Sequence, residues 1–249
     1  VELYLSLRNT FRKACLLESN DYHDRSDSKS FIGLEPIIEI TVVDSTLVVQ
    51  SESFPSINQS MLLDKTIAID HQIEKVIGQF QFLNPQATNG FFGRFGFEFS
   101  LLTEQHIPKK ESDLELPDVH LFLYKYVIII DHFKDEGILI KNSFNDASIS
   151  ASELNQLLLK KPFTHLPFEL MGEETAEFTD SEYKNCVEKA IAHCQRGDVF
   201  QLVLSNTFSQ TYFGDDFMIY RELRRLNPSP YLFYFDFGSF KIFGSSPEA

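Results

Sequence analysis

Between Ile37 and Gln50 the chain reads IIEITVVDSTLVVQ, two apolar β-branched runs around Asp44-Ser45, and this pattern predicts a β-hairpin. The clearest strand signal is LPDVHLFLYKYVIIIDHFKDEGILI, Leu116 to Ile140. An apolar run there ends at Asp131-His132, a Lys-Asp-Glu-Gly turn follows, and a second apolar strand returns. Runs this apolar are expected to be buried on both faces. In GFFGRFGFEFS, Gly90 to Ser100, glycines punctuate an aromatic strand, so Gly93 and Gly96 predict a bend or a close backbone approach. No helical pattern follows them, which argues against a phosphate loop. A helix is predicted from Asp70 to Gln79.

The stretch from Lys141 to Glu177 is polar and acidic, and it reads as a linker or excursion. It carries one short helix opening on a Ser150/Glu153 capping box. Beyond it the pattern is regular. Thr179-Asp-Ser-Glu182 is a second capping box, after which Tyr183, Cys186, Val187, Ala190, Ile191 and Cys194 fall on one face of a helix that ends at Gly197. A strand is expected next, with Phe200, Leu202 and Leu204 on one side and Gln201, Val203 and Ser205 on the other. A helix from Phe217 to Leu226 stops at Asn227-Pro228. YLFYFDF and FKIFGS then pair across Gly238-Ser239 in a turn of type II′ character. Helices alternate with strands, yet hairpins recur, so the expected class is mixed α/β (α+β) with a largely antiparallel sheet.

Composition narrows the choice. At 249 residues and 43% hydrophobic, the chain can build one large core or two small ones. Its net charge of −14 and lack of any basic run argue against nucleic acid and anionic membrane surfaces as partners. The longest apolar run, Tyr126 to Ile130, is far short of the ~20 residues that cross a bilayer, and VELYLSLRNTFRKACLLES does not resemble a signal peptide. Cys15, Cys186 and Cys194 form no C-x-x-C pair and read as reduced thiols. A soluble, cytoplasmic protein is therefore expected.

Candidate chemistry is sparse. There is no metal-ligand motif, phosphate cradle or nucleophile elbow. Gln201 interrupts an apolar strand, and its amide needs hydrogen-bond partners, from a pocket or from solvent at a sheet edge. Glu248 follows Ser-Ser-Pro just past a strand, where it either faces a pocket or lies at the surface. His132, beside Asp131, reads as a surface turn residue rather than as half of an orienting pair.

Five motifs, in order along the chain, resemble the large-subunit family of anthranilate synthase within the chorismate-utilising enzymes. They are CLLESND from Cys15, LPDVHLFLYKYVIIIDHF from Leu116, FTDSEYKNCVEKAIAHCQRGDVFQLVLSNTF from Phe178, LRRLNPSPYLFYFDF from Leu223 and GSSPE from Gly244. The resemblance implies the N-terminal part of a two-sheet β/α/α/β sandwich. Residues 1–177 would form a regulatory and partner-binding region, and 178–249 the start of a catalytic region that continues in the family. It also implies that the chain by itself is inactive, and that its raw sheet edges and apolar surface favour self-association.

In that family chorismate and ammonia, supplied by a glutamine amidotransferase partner, give anthranilate and pyruvate in tryptophan biosynthesis. The family uses Mg²⁺, whose ligands are expected outside this chain. Glu248 matches the glutamate to which protonation of the departing hydroxyl is assigned, a role worth about 10²–10⁴-fold that requires burial or substrate carboxylates to keep the acid protonated. At the position of Gln201, relatives that add water carry a lysine base. An amide cannot deprotonate water, so Gln201 favours amination. A feedback site for L-tryptophan would comprise Glu18, Ser19, Lys29, Pro230, Tyr231 and Leu232. Two alternatives stay open here: aminodeoxychorismate synthase, and a non-catalytic tryptophan-binding module.

Overall fold

A computed structural model describes residues 1–19, 28–82, 88–97, 99–103, 114–144, 148–158 and 167–248. It divides the chain into two compact units, one of Val1–Phe163 with Leu223–Ala249 and one of Thr164–Glu222. The regulatory and catalytic regions expected either side of residue 177 are a division by role, and remain a proposal.

Two long antiparallel strands, β2 (Lys29–Val43) and β6 (Val119–Asp131), form the spine of the first unit. Strand β6 is buried along almost its whole length, as its unbroken apolar run requires. Beside the first half of β2 lies β1 (Cys15–Glu18), followed by β10 (Tyr231–Asp236) and β11 (Lys241–Ser246). Beside its second half lie β3 (Thr46–Gln50) and β4 (Gln59–Leu62). The far side of β6 is shared between β5 (Phe92–Phe95) and β7 (Glu136–Lys141). These nine strands make one sheet among the described residues, forked on both sides of its spine. Every pairing is antiparallel.

Local chemistry explains the turns. Asp44 and Ser45 have φ of 47° and 66°, the left-handed pair that a two-residue I′ hairpin needs. Gly238, at φ 92°, opens the turn closed by the Phe237 N–H donating to Phe240 O over 3.0 Å. A Cβ on Gly93 would strike the backbone of His120 and Leu121, so the expected close approach is present. A bulge between Pro36 and Ile38 bends β2 where its two sets of neighbours part. Over the second half of the sheet, helix α2 (Ile69–Ile77) buries Ile69, Ile73 and Val76 against Ile38, Ile40, Val42 and Val119, each such side chain contributing about 1.5–3 kcal/mol. The first half carries an aromatic cluster around Phe122, Tyr124, Phe235 and Phe237. Helix α1 (Glu2–Arg8) also packs on this half, with Tyr4 edge-on to Tyr234 at 5.9 Å.

The second unit contains a two-stranded sheet, β8 (Phe168–Ala176) with β9 (Phe208–Gly214), and helix α5 (Asp180–Arg196). Thr179 and Glu182 make the reciprocal capping box, and Gly197 ends α5 at φ 76°. Helix α6 (Asp216–Leu226) begins here and finishes in the first unit. Helix α4 (Ala151–Leu158), in the first unit, opens on the expected Ser150/Glu153 exchange.

Three expectations need correction. The stretch read as a linker contains β8, whose exposed, mixed sequence shows no alternation. A short helix, α3 (Phe99–Thr103), does follow Gly96, although Gly93 itself is packed against β6. The strand expected from Phe200 does not form: residues 201–207 lie outside any ladder, and β9 starts at Phe208. Alternation alone makes no strand without a neighbour to accept its backbone bonds. Side chains hold this segment instead, with Tyr183 Oη donating to Leu204 O at 3.1 Å and Asn206 exchanging two 3.0 Å bonds with the Phe178 backbone.

Candidate functional site

Five of the six residues expected to bind tryptophan are placed by strand register at one rim of the large sheet. Glu18 closes β1 opposite Leu232 on one side and Ser30 on the other. Ser19 donates its N–H to Lys29 O at 2.9 Å, continuing the same ladder. Tyr231 opens β10, and Pro230 precedes it. Asn20 and Asp21 of the CLLESND motif lie outside the described residues.

The pleat sorts these residues by face, since directly opposed residues in an antiparallel ladder project to the same side. Glu18, Ser30 and Leu232 form one row, all buried. Ser19, Lys29 and Tyr231 belong to the alternate row, in which Lys29 opposes Asp131. Tyr231 is 47% exposed there. The Glu18 carboxylate does not go unpaired: Arg224, in the last turn of α6, donates Nε–H to its Oε2 at 3.0 Å. Ser30 Oγ lies 2.7 Å from His132 Nε2. Asp131 is engaged elsewhere, accepting the N–H groups of Phe133 and Lys134, and these contacts hold its carboxyl below the usual range. His132 is thus a turn residue tied to β2, and Asp131 does not orient it.

The expected catalytic pair is placed differently. Gln201 is exposed and belongs to the second unit; Glu248 is exposed and belongs to the first. Glu248 meets Ser246, whose hydroxyl donates to its carbonyl at 2.6 Å. The burial that an acid role would need is not supplied by the described residues. Among these residues no group of three or more His, Cys, Asp or Glu side chains converges to hold a metal ion, so they provide no ligand set for Mg²⁺.

One constellation had no signature in the sequence. A cavity of about 1540 Å³ opens at the fork between β1 and β3, lined by Lys13, Glu35, Glu39, Lys125, Tyr126 and Glu153 among others. Glu39 accepts from Lys13 and meets buried His120, both at 2.6 Å. Burial pushes its carboxyl up, but these two partners outweigh it and hold the group below the usual range. Glu35, at φ 58°, holds Lys125 at 2.9 Å. Tyr126 donates to Glu153 at 2.6 Å, and its phenol is pushed up to about 12 by burial and by that bond. These partners are 26 to 90 residues apart, so the fold and not the local sequence brings them together.

Comparison with known proteins decides the family. The model of the chorismate binding enzymes matches residues 13–249. The chain belongs to the chorismate binding enzyme family. Anthranilate synthase component 1 of Cereibacter sphaeroides is 33% identical over 179 residues, which cover 66% of this chain and 36% of that protein. The protein of the same name from Lactococcus lactis is 27% identical over 256 residues, covering 100% of this chain and 54% of that one. Among solved structures, anthranilate synthase component I from Streptococcus pneumoniae TIGR4 superposes with a TM-score of 0.68 at 26% identity, over 88% of this chain and 50% of that chain. The mixed, mostly antiparallel fold is therefore the family's fold. The chain spans about half or less of the length of these relatives.

Proposed function

We propose that this chain supplies the regulatory region and part of the catalytic region of an anthranilate synthase large subunit. The full enzyme would aminate chorismate with ammonia from a glutamine amidotransferase partner, then eliminate pyruvate. Mg²⁺ in such an enzyme would neutralise a substrate carboxylate. Its ligands would come from polypeptide other than the described residues. Glu248 would donate a proton to the departing hydroxyl, and Gln201, which cannot act as a base toward water, suits a site whose nucleophile is ammonia.

The observation that carries this reading is the family match together with the rim that joins Ser19, Lys29 and Tyr231 from opposite ends of the sequence. There a serine hydroxyl, main-chain groups and a lysine can hold the two charged groups of an amino acid. Pro230 and Tyr231 offer a flat apolar wall for an indole. L-tryptophan as feedback inhibitor fits this chemistry.

Calorimetric titration of the purified chain with L-tryptophan tests the reading. Saturable binding is expected, weakened about tenfold in both Ser19→Ala and Tyr231→Ala, as befits loss of a hydroxyl hydrogen bond or an aromatic wall. A folded chain that releases no heat overturns the regulatory site. In parallel, the chain given chorismate, ammonia and Mg²⁺ is expected to form no anthranilate, and measurable turnover would refute that part.

A further inference from the structure

The cavity at the fork between β1 and β3 opens where one ladder stops short. Strand β1 pairs with β2 as far as Cys15 opposite Gly33, and β3 takes up the same edge at Glu39 opposite Gln50. Continued by two residues, the β1 register would set Lys13 directly opposite Glu35, an oppositely charged pair of the kind that stabilises a sheet. Both residues are instead left-handed, at φ 54° and 58°, and the ladder ends. The other left-handed non-glycine residues among those described, Asp44, Ser45 and Asp135, sit in hairpin turns. The bulge in β2 accounts for Glu35 but not for its counterpart across the ladder. Backbone of this kind is unfavourable for a residue with a Cβ, and where it persists it gathers at ligand sites.

Lys13 and Glu35 line the cavity but do not pair with each other. Lys13 goes to Glu39 at 2.6 Å, and Glu35 to Lys125 at 2.9 Å through Oε1. Their side chains stay 37% and 43% exposed, within reach of a ligand. An ammonium carries three N–H groups and a carboxylate two oxygens, so Lys13 has donors and Glu35 has Oε2 beyond these bonds. Glu153 ties α4 to Tyr126 and Lys141, which fixes the wall that this helix contributes. A cation and an anion that register would have joined are thus held by separate partners on one cavity. From this geometry we propose that the fork binds a short zwitterionic peptide, its carboxylate meeting Lys13 and its ammonium meeting Glu35. Size favours a peptide over a free amino acid. The cavity of about 1540 Å³ exceeds the ~300–1,000 Å³ of ordinary small-ligand sites, and an extended tripeptide spans roughly 10 Å. Phe11, Pro36 and Ile37 offer apolar surface to its body, and Gln50 and Gln156 offer amides to its peptide groups. The cavity shares no residue with the tryptophan rim, so the two sites stand or fall separately.

Calorimetric titration of the chain with tri-L-alanine tests this site, beside N-acetyl-tri-L-alanine amide, succinate and putrescine. Saturable binding is expected for the free tripeptide, with the capped peptide, the dianion and the dication each at least about tenfold weaker. Glu35→Gln and Lys13→Gln should each weaken tripeptide binding about tenfold, because each removes one charge-assisted bond. Saturating L-tryptophan should leave tripeptide affinity within about twofold. Binding of the capped peptide, succinate or putrescine as tight as that of the free tripeptide would overturn the proposal, since paired charges would not be what the cavity reads. So would competition by L-tryptophan, variants that bind like the native chain, or a folded chain that releases no heat. A chain that binds the tripeptide but not L-tryptophan would support the fork site and refute the rim alone. Circular dichroism checks the fold of each variant, and the comparison of free and capped peptide on the native chain decides the matter if neither variant folds.

Discussion

Glu39 carries more structural responsibility than its place in an ordinary strand suggests. It sits between Lys13 and His120, 26 residues before it and 81 after it, with its side chain 23% exposed. His120 is wedged against Phe122 and Phe237, with ring centroids 4.8 and 4.5 Å away, so it cannot swing out to water if the carboxylate is lost. Glu39→Gln should therefore destabilise the chain by about 1–3 kcal/mol near neutral pH, measured by urea denaturation. The sign with pH follows from the lowered folded-state value. The stabilisation is fully present above the ordinary glutamate value of 4.5 and is lost as pH falls through the lower folded value, so variant and native chain should converge in acid. A gap that stays constant below pH 4.5 would show that packing, not charge, sets the cost. None of this was legible in the sequence, because a Glu in an apolar strand gives no hint of which distant residues it will meet. Gln201 was noticed for the same kind of oddity, yet it is exposed.

At the scale of elements, legibility followed the source of the signal. Features written in a few adjacent residues were all readable: the Asp44-Ser45 turn, the capping boxes at Ser150 and Thr179, the Gly197 stop. Their chemistry is local. Features that depend on a neighbour were not, as β8 and the segment after Phe200 show. Helix α5 separates the two kinds of stabilisation, because none of its described residues is buried and its ends carry much of its definition. Glu182 is held below the usual carboxylate range by the Thr179 N–H and then its hydroxyl. Thr179→Ala should cost about 1 kcal/mol in that helix, read as faster hydrogen exchange over its first turn with the last turn unchanged. Equal acceleration at both ends would mean that the helix unfolds as a unit, with no separate role for the cap.

For the whole molecule, the rim was half legible. The family resemblance grouped Ser19, Lys29 and Tyr231, but only register and pleat show that Glu18 and Leu232 face the other way. The second unit poses a different question, since its apolar residues are displayed rather than hidden. Phe200 and Val203 are 108% and 82% exposed, Phe213 and Leu170 are 64% and 62%, and a groove of about 370 Å³ runs between Leu202, Leu204 and the Val187–Ile191 face of α5. Large apolar side chains exposed in this number invite contact with another apolar surface. The chain should therefore self-associate as its concentration rises, seen by sedimentation velocity as a shift away from the monomer. The combined Phe200→Glu and Val203→Glu variant should hold the monomer to about tenfold higher concentration, because each charge would have to be buried in the contact. The two sites lie outside any strand and are solvent-facing, so the substitutions remove no packing and the monomer should keep its circular dichroism. A variant that still associates at the native concentration would move the contact elsewhere, to the open edges of the large sheet at β4 or β7.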